Sequence, residues 1–280
     1  MSEEKKPTVF VATPAYDGRR EPHHSTVLQL KGALEEAGHR VVMLGVPACS
    51  FVGWARDLAA HIFEKCDGTQ KGYPLCELFL FIDNDISFEP DVVLRMIHAD
   101  KPLVGVACPK KEFNFKNVRA GMLGNLNLPP EYLAADFVFH ADTAKDEPLR
   151  VDAEGLLSVK SAGTGLLLIK REVFQAIRAA GTDKYSPDGY LYRSGNNLQT
   201  LGEQIFAYFH FRIRWDEEDK VHHYDSEDYS FCLRWRALGN KVYLLADADV
   251  GHTGMYTFKG NLQKTLAVGG KLPMPKARTA

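Results

Sequence analysis

The stretch Leu78–Ile82 reads LFLFI, five apolar residues with no polar one among them. A strand with one face in water alternates apolar and polar residues; a run without alternation is buried on both faces. Such strands lie inside a sheet that helices cover on both sides. The run therefore points to an α/β arrangement with a mostly parallel central sheet. Two acids follow it, Asp83 and Asp85, separated by Asn84. Read alone, this DND is either a polar turn after a buried strand or a pair of hard oxygen ligands for a divalent cation.

The flanking sequence keeps an α/β rhythm. TVFVAT from Thr8 reads as a first strand, and PAYDGRREPHH as a polar loop. A helical pattern runs from Ser25 to Ala37, with Ser25 as its cap and Gly38 as its stop. RVVML gives a second strand, FVGWARDLAAHIFEK a second helix, and PLVGVAC a further strand around Leu103–Ala107. Pro90 should stand near the start of a helix that FEPDVVLRMIHAD opens a few residues after the DND segment. From Pro109 to Lys160 the pattern becomes irregular, as expected of a substrate-facing excursion. LRVDAEGLLSVKSAGTGLLLI then suggests a hairpin-like pair of strands, followed by a helix from about Arg171. DSEDYSFCLRWRALG opens with acids and becomes helical, and KVYLLA is the next strand. These elements form a single domain over 1–260, with halves at about 8–108 and 109–260 and a tail at 261–280.

Composition removes several function classes. The chain has 280 residues, 45% of them hydrophobic, and a formal net charge of -2. No basic stripe interleaved with aromatics is present, so nucleic acid is not an expected partner. No segment has the apolar length of a membrane span, and the N-terminus lacks the pattern of a secretion signal. A cytoplasmic protein is expected, with peripheral contact to a membrane left open. The five cysteines show no paired spacing and read as small core residues.

Two later segments add to the DND pair. Asp225-Ser226-Glu227-Asp228 opens a helix, where acids either complement the helix dipole or supply a general base. His252, in VGHTG, is either structural or a third ligand beside a D-x-D pair. Lys110 and Lys111 follow a strand and read as a solvated run or as phosphate contacts. Tyr190, Tyr192, Arg193 and Asn196 fall in a polar, aromatic segment suited to a surface loop or to ring packing and hydrogen bonding with a ligand. Trp215 reads as a ligand contact or a surface anchor, and His222 with His223 as a local metal alternative.

In their order along the chain, these segments resemble the glycosyltransferases of the GT-A fold, especially the family 2-like group. The resemblance runs from TVFVATPAY to DADVGHTG. It implies a single Rossmann-like domain whose first strand and following loop, Thr13, Pro14, Ala15, Tyr16 and Asp17, meet the nucleotide. Arg56 and Asp57, in WARDLAAHIF, resemble a pair that faces the same nucleotide. Asp83, Asn84 and Asp85 match the motif that holds the sugar-nucleotide diphosphate. Asp83, Asp85 and His252 would ligate Mn²⁺ or Mg²⁺, with Asp85 the principal ligand. Gly163, with Thr164 and Gly165, resembles the strand that lines the donor-sugar pocket. Asp228, ahead of Glu227, would be the base.

The implied reaction moves one sugar from a nucleoside diphosphate sugar, UDP ahead of GDP, to a hydroxyl on a glycan, lipid-linked or small-molecule acceptor. Inversion is favoured over retention. The chain lacks the Q-x-x-R-W segment and the membrane anchor of processive synthases. Two rival readings stand beside this one. A sugar-phosphate nucleotidyltransferase would carry a glycine- and arginine-rich N-terminal pattern that TPAYDGRREPHH lacks. A non-catalytic carbohydrate-binding protein would not need the acids and the histidine together.

Overall fold

LFLFI forms a strand over Leu78–Ile82 and is buried on both faces. Phe79 and Phe81 face one layer of helices, and Leu78, Leu80 and Ile82 face the other. Burying each such side chain contributes roughly 1.5–3 kcal/mol. The structure, a computed structural model, describes residues 5–15, 22–47, 51–123, 128–137, 139–143, 147–187, 191–194, 197–200, 203–217 and 220–268.

The first half contains β1 (Val9–Ala15), α1 (His23–Glu36), β2 (Val41–Pro47), α2 (Val52–Lys65), β3 (Leu78–Ile82), β4 (Ile86–Phe88), α3 (Asp91–His98) and β5 (Leu103–Gly105). The irregular stretch contributes α4 (Phe115–Leu123), α5 (Pro130–Ala134) and β6 (Phe139–Ala141). There follow β7 (Leu156–Ala162), β8 (Leu166–Lys170), α6 (Arg171–Ala179), β9 (Lys184–Tyr185), β10 (Leu191–Ser194), β11 (Asn197–Thr200) and β12 (Ile205–Phe206). The chain continues through β13 (Arg212–Asp216), β14 (Val221–Asp225), α7 (Glu227–Ala237), β15 (Val242–Leu245), β16 (Val250–Thr253), β17 (Thr257–Gly260) and α8 (Leu262–Val268).

The central sheet has eight strands in the order β2-β1-β3-β8-β5-β15-β7-β6. The pairs β1/β2, β1/β3 and β5/β15 are parallel. The pairs β3/β8, β5/β8, β7/β15 and β6/β7 are antiparallel. The sheet is thus parallel in strand direction except for β7 and β8, which run against the rest. Helices α1 and α3 cover one face through Leu30, Leu34, Val93 and Met96. Helices α2, α6 and α7 cover the other through Phe63, Phe174 and Phe231.

Four local features differ from the sequence reading. β7 and β8 are not a hairpin: β5 and β15 lie between them. A tight hairpin turn needs a residue at positive φ, and neither Gly163 nor Gly165 has one. The reversal occurs earlier, where Gly155 sits at φ 82 and one bridge joins Val151 to Leu157. Helix α1 starts at His23 rather than Ser25, with Pro22 at its N-cap. Residues 262–268, expected within the tail, form α8, and Leu262 joins the core at 2% exposure. Helix α3 opens behind Pro90 as expected, but a strand absent from the sequence reading, β4, lies between it and the DND segment and pairs with β16.

Among the described residues, no helix is long and apolar enough to cross a membrane.

Candidate active site

The DND segment forms a tight turn at the carboxyl end of β3. The Ile86 amide donates to the Asp83 carbonyl at 3.1 Å, and the Asp83 amide donates to the Gly165 carbonyl at 2.9 Å. Asn84 sits inside this turn, partly exposed. A turn, unlike an extended D-x-D, sends its two carboxylates apart. Asp83 accepts both terminal nitrogens of Arg56, at 3.0 and 3.2 Å. Asp85 accepts Lys111 Nζ at 2.7 Å and lies 3.4 Å from His252 Nε2. The backbone fixes that approach: His252 pairs with Ile86 across β16 and β4, and the Thr253 amide donates to the Asp85 carbonyl at 2.7 Å. Burial alone would raise the Asp85 carboxyl, but His252 and Lys111 outweigh it and bring it down to about 2.

The other histidine nitrogen decides the tautomer. Nδ1 lies 2.7 Å from the Pro109 carbonyl oxygen, which can only accept. The proton therefore sits on Nδ1. Nε2 then faces the Asp85 carboxylate: protonated as well, it forms an ion pair with it, and unprotonated, it offers a lone pair that a cation between the two could take.

Helix α2 delivers Arg56 and Asp57 from its first turns, but in different directions. Arg56 is 3% exposed and bonds Asp83 on one side and Glu227 Oε1 on the other, at 3.4 Å. Burial alone would disfavour its charge; Asp83 first, then Glu227 and Asp228, more than offset this and hold the guanidinium charged. Asp57 does not join this cluster. Its carboxylate accepts the Phe209 amide at 2.7 Å and the Tyr185 hydroxyl at 3.0 Å. It ties the 203–209 segment to α2, where Gly53 lets the Phe209 carbonyl approach so closely that a Cβ would meet it at 2.6 Å. Asp57, expected beside a nucleotide, faces Phe209 and Tyr185 rather than the cluster around Arg56.

The acids that open α7 complete the cluster. Asp228 accepts the Tyr229 amide at 2.8 Å through Oδ1, and the Ser226 hydroxyl bonds the same oxygen. Its Oδ2 faces the glycine strand, and a Cβ built on Gly163 would stand 3.6 Å from it. Burial, followed by the neighbouring charge of Asp228, raises the Glu227 carboxyl, and Arg56 opposes that shift.

One cleft gathers Arg56, Asp83, Gly163, Thr164, Asp228, Tyr229 and His252. Thr164 Oγ1 and Tyr229 Oη are buried in its wall, with no hydrogen-bond partner among the described residues. Orphaned buried polar atoms call for a partner that the protein does not itself supply. A larger cleft at the opposite end of β1, lined by Lys5, Lys6 and Arg40, holds no acid. Thr13, Pro14 and Ala15 form the buried carboxyl end of β1, beside the end of β3. Tyr16 and Asp17 lie outside the described residues, as do Tyr190 and Asn196.

The sequence left two members of this site unassigned. The Pro109 carbonyl that orients His252 is a main-chain group without a sequence signature. Lys111 was as well explained by solvent, and only the fold brings it to Asp85.

The donor set was tested against a divalent cation. Among the described residues, no group of three histidine, cysteine, aspartate or glutamate side chains is arranged to hold one. Asp83, expected on the metal, commits both oxygens to Arg56. Asp85 Oδ1 and His252 Nε2, with Nδ1 anchored on a carbonyl, remain as a two-residue set, while Asp85 Oδ2 is held by Lys111. Such a set could give Mg²⁺ or Mn²⁺ one carboxylate oxygen and one ring nitrogen, with phosphate oxygens and water left to supply the rest of the shell.

No protein-family model matches the chain, and no curated protein matches it. Among solved structures it is similar to the "crystal structure of a glycosyltransferase involved in the glycosylation of the major capsid of PBCV-1". That similarity has a TM-score of 0.31 and 11% identity, and covers 61% of this chain and 63% of that one. The chain thus matches less than two thirds of that protein's length, and a likeness this loose carries no functional weight.

Proposed function

We propose that the chain is a metal-dependent glycosyltransferase that moves one sugar from a nucleoside diphosphate sugar, UDP ahead of GDP, to an acceptor hydroxyl with inversion. The observation that carries this reading is the Asp85–His252 pair, 3.4 Å apart, with the ring held by the Pro109 carbonyl so that Nε2 faces the carboxylate. Mn²⁺ or Mg²⁺ held there would neutralise charge on the departing diphosphate.

The chain's own residues do the rest. Arg56, kept charged and held by Asp83 and Glu227, offsets part of the negative charge that these acids and Asp228 bring to the cleft. Asp228 Oδ1 is occupied by Ser226 and Tyr229, which leaves Oδ2 to receive a proton. The acceptor hydroxyl gives its proton to that oxygen as its own oxygen bonds the anomeric carbon. The bond from that carbon to the diphosphate breaks, and its electron pair leaves with the nucleoside diphosphate. Attack opposite the leaving group inverts the centre. Thr164 and Tyr229 offer the donor sugar hydrogen-bonding groups that the protein leaves open.

Isothermal titration of UDP- and GDP-sugars with and without Mn²⁺ tests the reading. Metal should strengthen binding, and Asp85→Ala or His252→Ala should remove about tenfold or more of that gain with folding retained. Binding indifferent to Mn²⁺ in the unaltered protein would overturn it.

A further inference from the structure

Cys66 and Cys76 meet in the fold, although nothing in their spacing pairs them. Cys66 is the C-cap of α2, and Cys76 stands two residues before β3. The Cys76 amide donates to the Cys66 carbonyl at 2.8 Å. A backbone bond between two residues leaves their Cα atoms roughly 5–6 Å apart, which is the separation a disulfide spans. The two thiols also bond each other, and both residues are buried, at 2% and 0% exposure. Cys108 and Cys232 are placed differently. They turn their thiols to the carbonyls of Val106 and Ala162, at 3.8 and 3.6 Å. Filling the core explains the burial of Cys66 and Cys76 but not the contact between their sulfurs.

Arg171 holds the pair in place. Its guanidinium donates to the carbonyls of Cys66 and Cys76, each at 2.7 Å, and to that of Phe63 at 2.8 Å. It also lies 4.2 Å from the centre of the Phe63 ring. One cation thus fixes the main chain on both sides of the two thiols. The same arrangement makes the sulfurs unequal. The hydrogen bond from Cys76, aided by the charge of Arg171, holds the Cys66 thiol below its ordinary value against the effect of burial. The bond to Cys66, followed by burial, raises the Cys76 thiol. The thiolate is the reactive form, so Cys66 is the nucleophile of the pair. Residues 67–73, which lead from one cysteine toward the other, are exposed, and a small uncharged oxidant can approach through them.

We propose that Cys66 and Cys76 are a redox-active pair, which a peroxide converts to a disulfide that ties the end of α2 to the start of β3. The Cys66 sulfur attacks one oxygen of hydrogen peroxide, the O–O bond breaks, and the departing hydroxide takes the thiol proton as water. The Cys76 sulfur then attacks the sulfur of the Cys66 sulfenic acid. The S–S bond forms, the S–O bond breaks, and a second hydroxide leaves as water with the Cys76 proton. Two electrons pass from the thiols to the peroxide. Helix α2 and β3 already meet at their other ends, where Arg56 grips Asp83. The disulfide adds a covalent tie at the far end and closes a loop whose Gly68, Tyr73 and Leu75 wall the cleft that holds Lys5, Lys6 and Arg40. This chemistry is independent of the reaction assigned to the cleft around Asp228.

Trypsin reads the bond directly, because Lys71 lies inside the loop. Cleavage after Lys65, Lys71 and Arg95 puts the two cysteines on separate peptides, 66–71 and 72–95. The reduced full chain would be treated with hydrogen peroxide, its remaining thiols blocked with N-ethylmaleimide, and its unreduced digest analysed by mass spectrometry. The two peptides should appear joined, two hydrogens lighter than their sum, and should separate with dithiothreitol. The oxidised chain should melt about 5 °C above the reduced chain, as closure of a short loop predicts. The Cys66→Ala/Cys76→Ala variant should show no such shift. If that variant does not fold, the joined peptides and the melting of the unaltered chain decide alone. Both cysteines recovered as maleimide adducts, either one joined to a different cysteine, or either one carried on to sulfinic acid overturns the proposal. So does a joined chain that melts no higher than the reduced one, or an equal shift in the double variant.

Discussion

Arg56 grips Asp83 through both carboxylate oxygens, at 3.0 and 3.2 Å, and its guanidinium lies 5.2 Å from the centre of the Phe81 ring. The first acid of the DND segment is therefore part of the scaffold. Removing one member of a buried ion pair leaves the other uncompensated. Asp83 retains 30% exposure, so water offsets some of the loss. Arg56→Met should cost about 2–4 kcal/mol in urea unfolding, below the upper end for a fully enclosed pair. Arg56→Met/Asp83→Leu should recover part of it. A single variant as stable as the parent would mean that the clamp contributes nothing to the fold.

The two acids at the start of α7 have different work. Asp228 keeps one oxygen free, whereas Glu227 is held by Arg56. Asp228→Asn should lower kcat by about 10²–10⁴ with donor affinity changed little, as expected for loss of a general base. Glu227→Gln should lower kcat less and weaken stability as well, because it loosens Arg56. If steady-state kinetics show the large kcat loss only in Glu227→Gln, the base is Glu227.

The sheet was legible from residues 78–82 because a strand buried on both faces has no other sequence pattern. The order of Asp83, Asp85, Asp228 and His252 was visible in the chain, and the fold brings Asp83, Asp228 and His252 to one cleft. The division of labour within DND was not. Whether a D-x-D is extended or turned depends on the Gly165 carbonyl and on β4 pairing with β16, both long-range contacts. The fate of Asp57 was hidden for the same reason, since Phe209 stands 152 residues away. Trp215 was ambiguous because alternation reveals two faces without saying which one is wet.

Asp57 gives the protein a pH-dependent stability that does not involve the reaction. Burial pushes its carboxyl up to about 7, against the opposing pull of the Phe209 amide and the Tyr185 hydroxyl, while the ordinary value is 3.8. Between those values the folded chain binds more protons than the unfolded chain. The stabilisation is full below 3.8 and disappears as pH rises through about 7. The slope is at most about 1.4 kcal/mol per pH unit. Asp57→Asn removes the titrating group, so chemical denaturation between about pH 4 and 7 should show a flatter profile than the parent. An unchanged slope would assign the proton uptake to another group.

Two neighbouring glycines separate fold from chemistry. A Cβ on Gly165 would come within 2.9 Å of Cys108 Sγ and 3.5 Å of the Ile86 side chain. Gly165→Ala should therefore cost about 1–3 kcal/mol, as overpacking does in a filled interior. At Gly163 the nearest atom to an added Cβ is Asp228 Oδ2, at the ordinary contact distance of 3.6 Å, and the backbone has no positive φ to strain. Gly163→Ala should fold with Tm unchanged or slightly raised, since alanine restricts the unfolded chain. Its methyl group would nonetheless stand against the one free oxygen of Asp228. Thermal unfolding and transfer kinetics on the same preparation should show turnover falling without loss of stability. If turnover is instead unaffected, the acceptor's proton does not go to Oδ2.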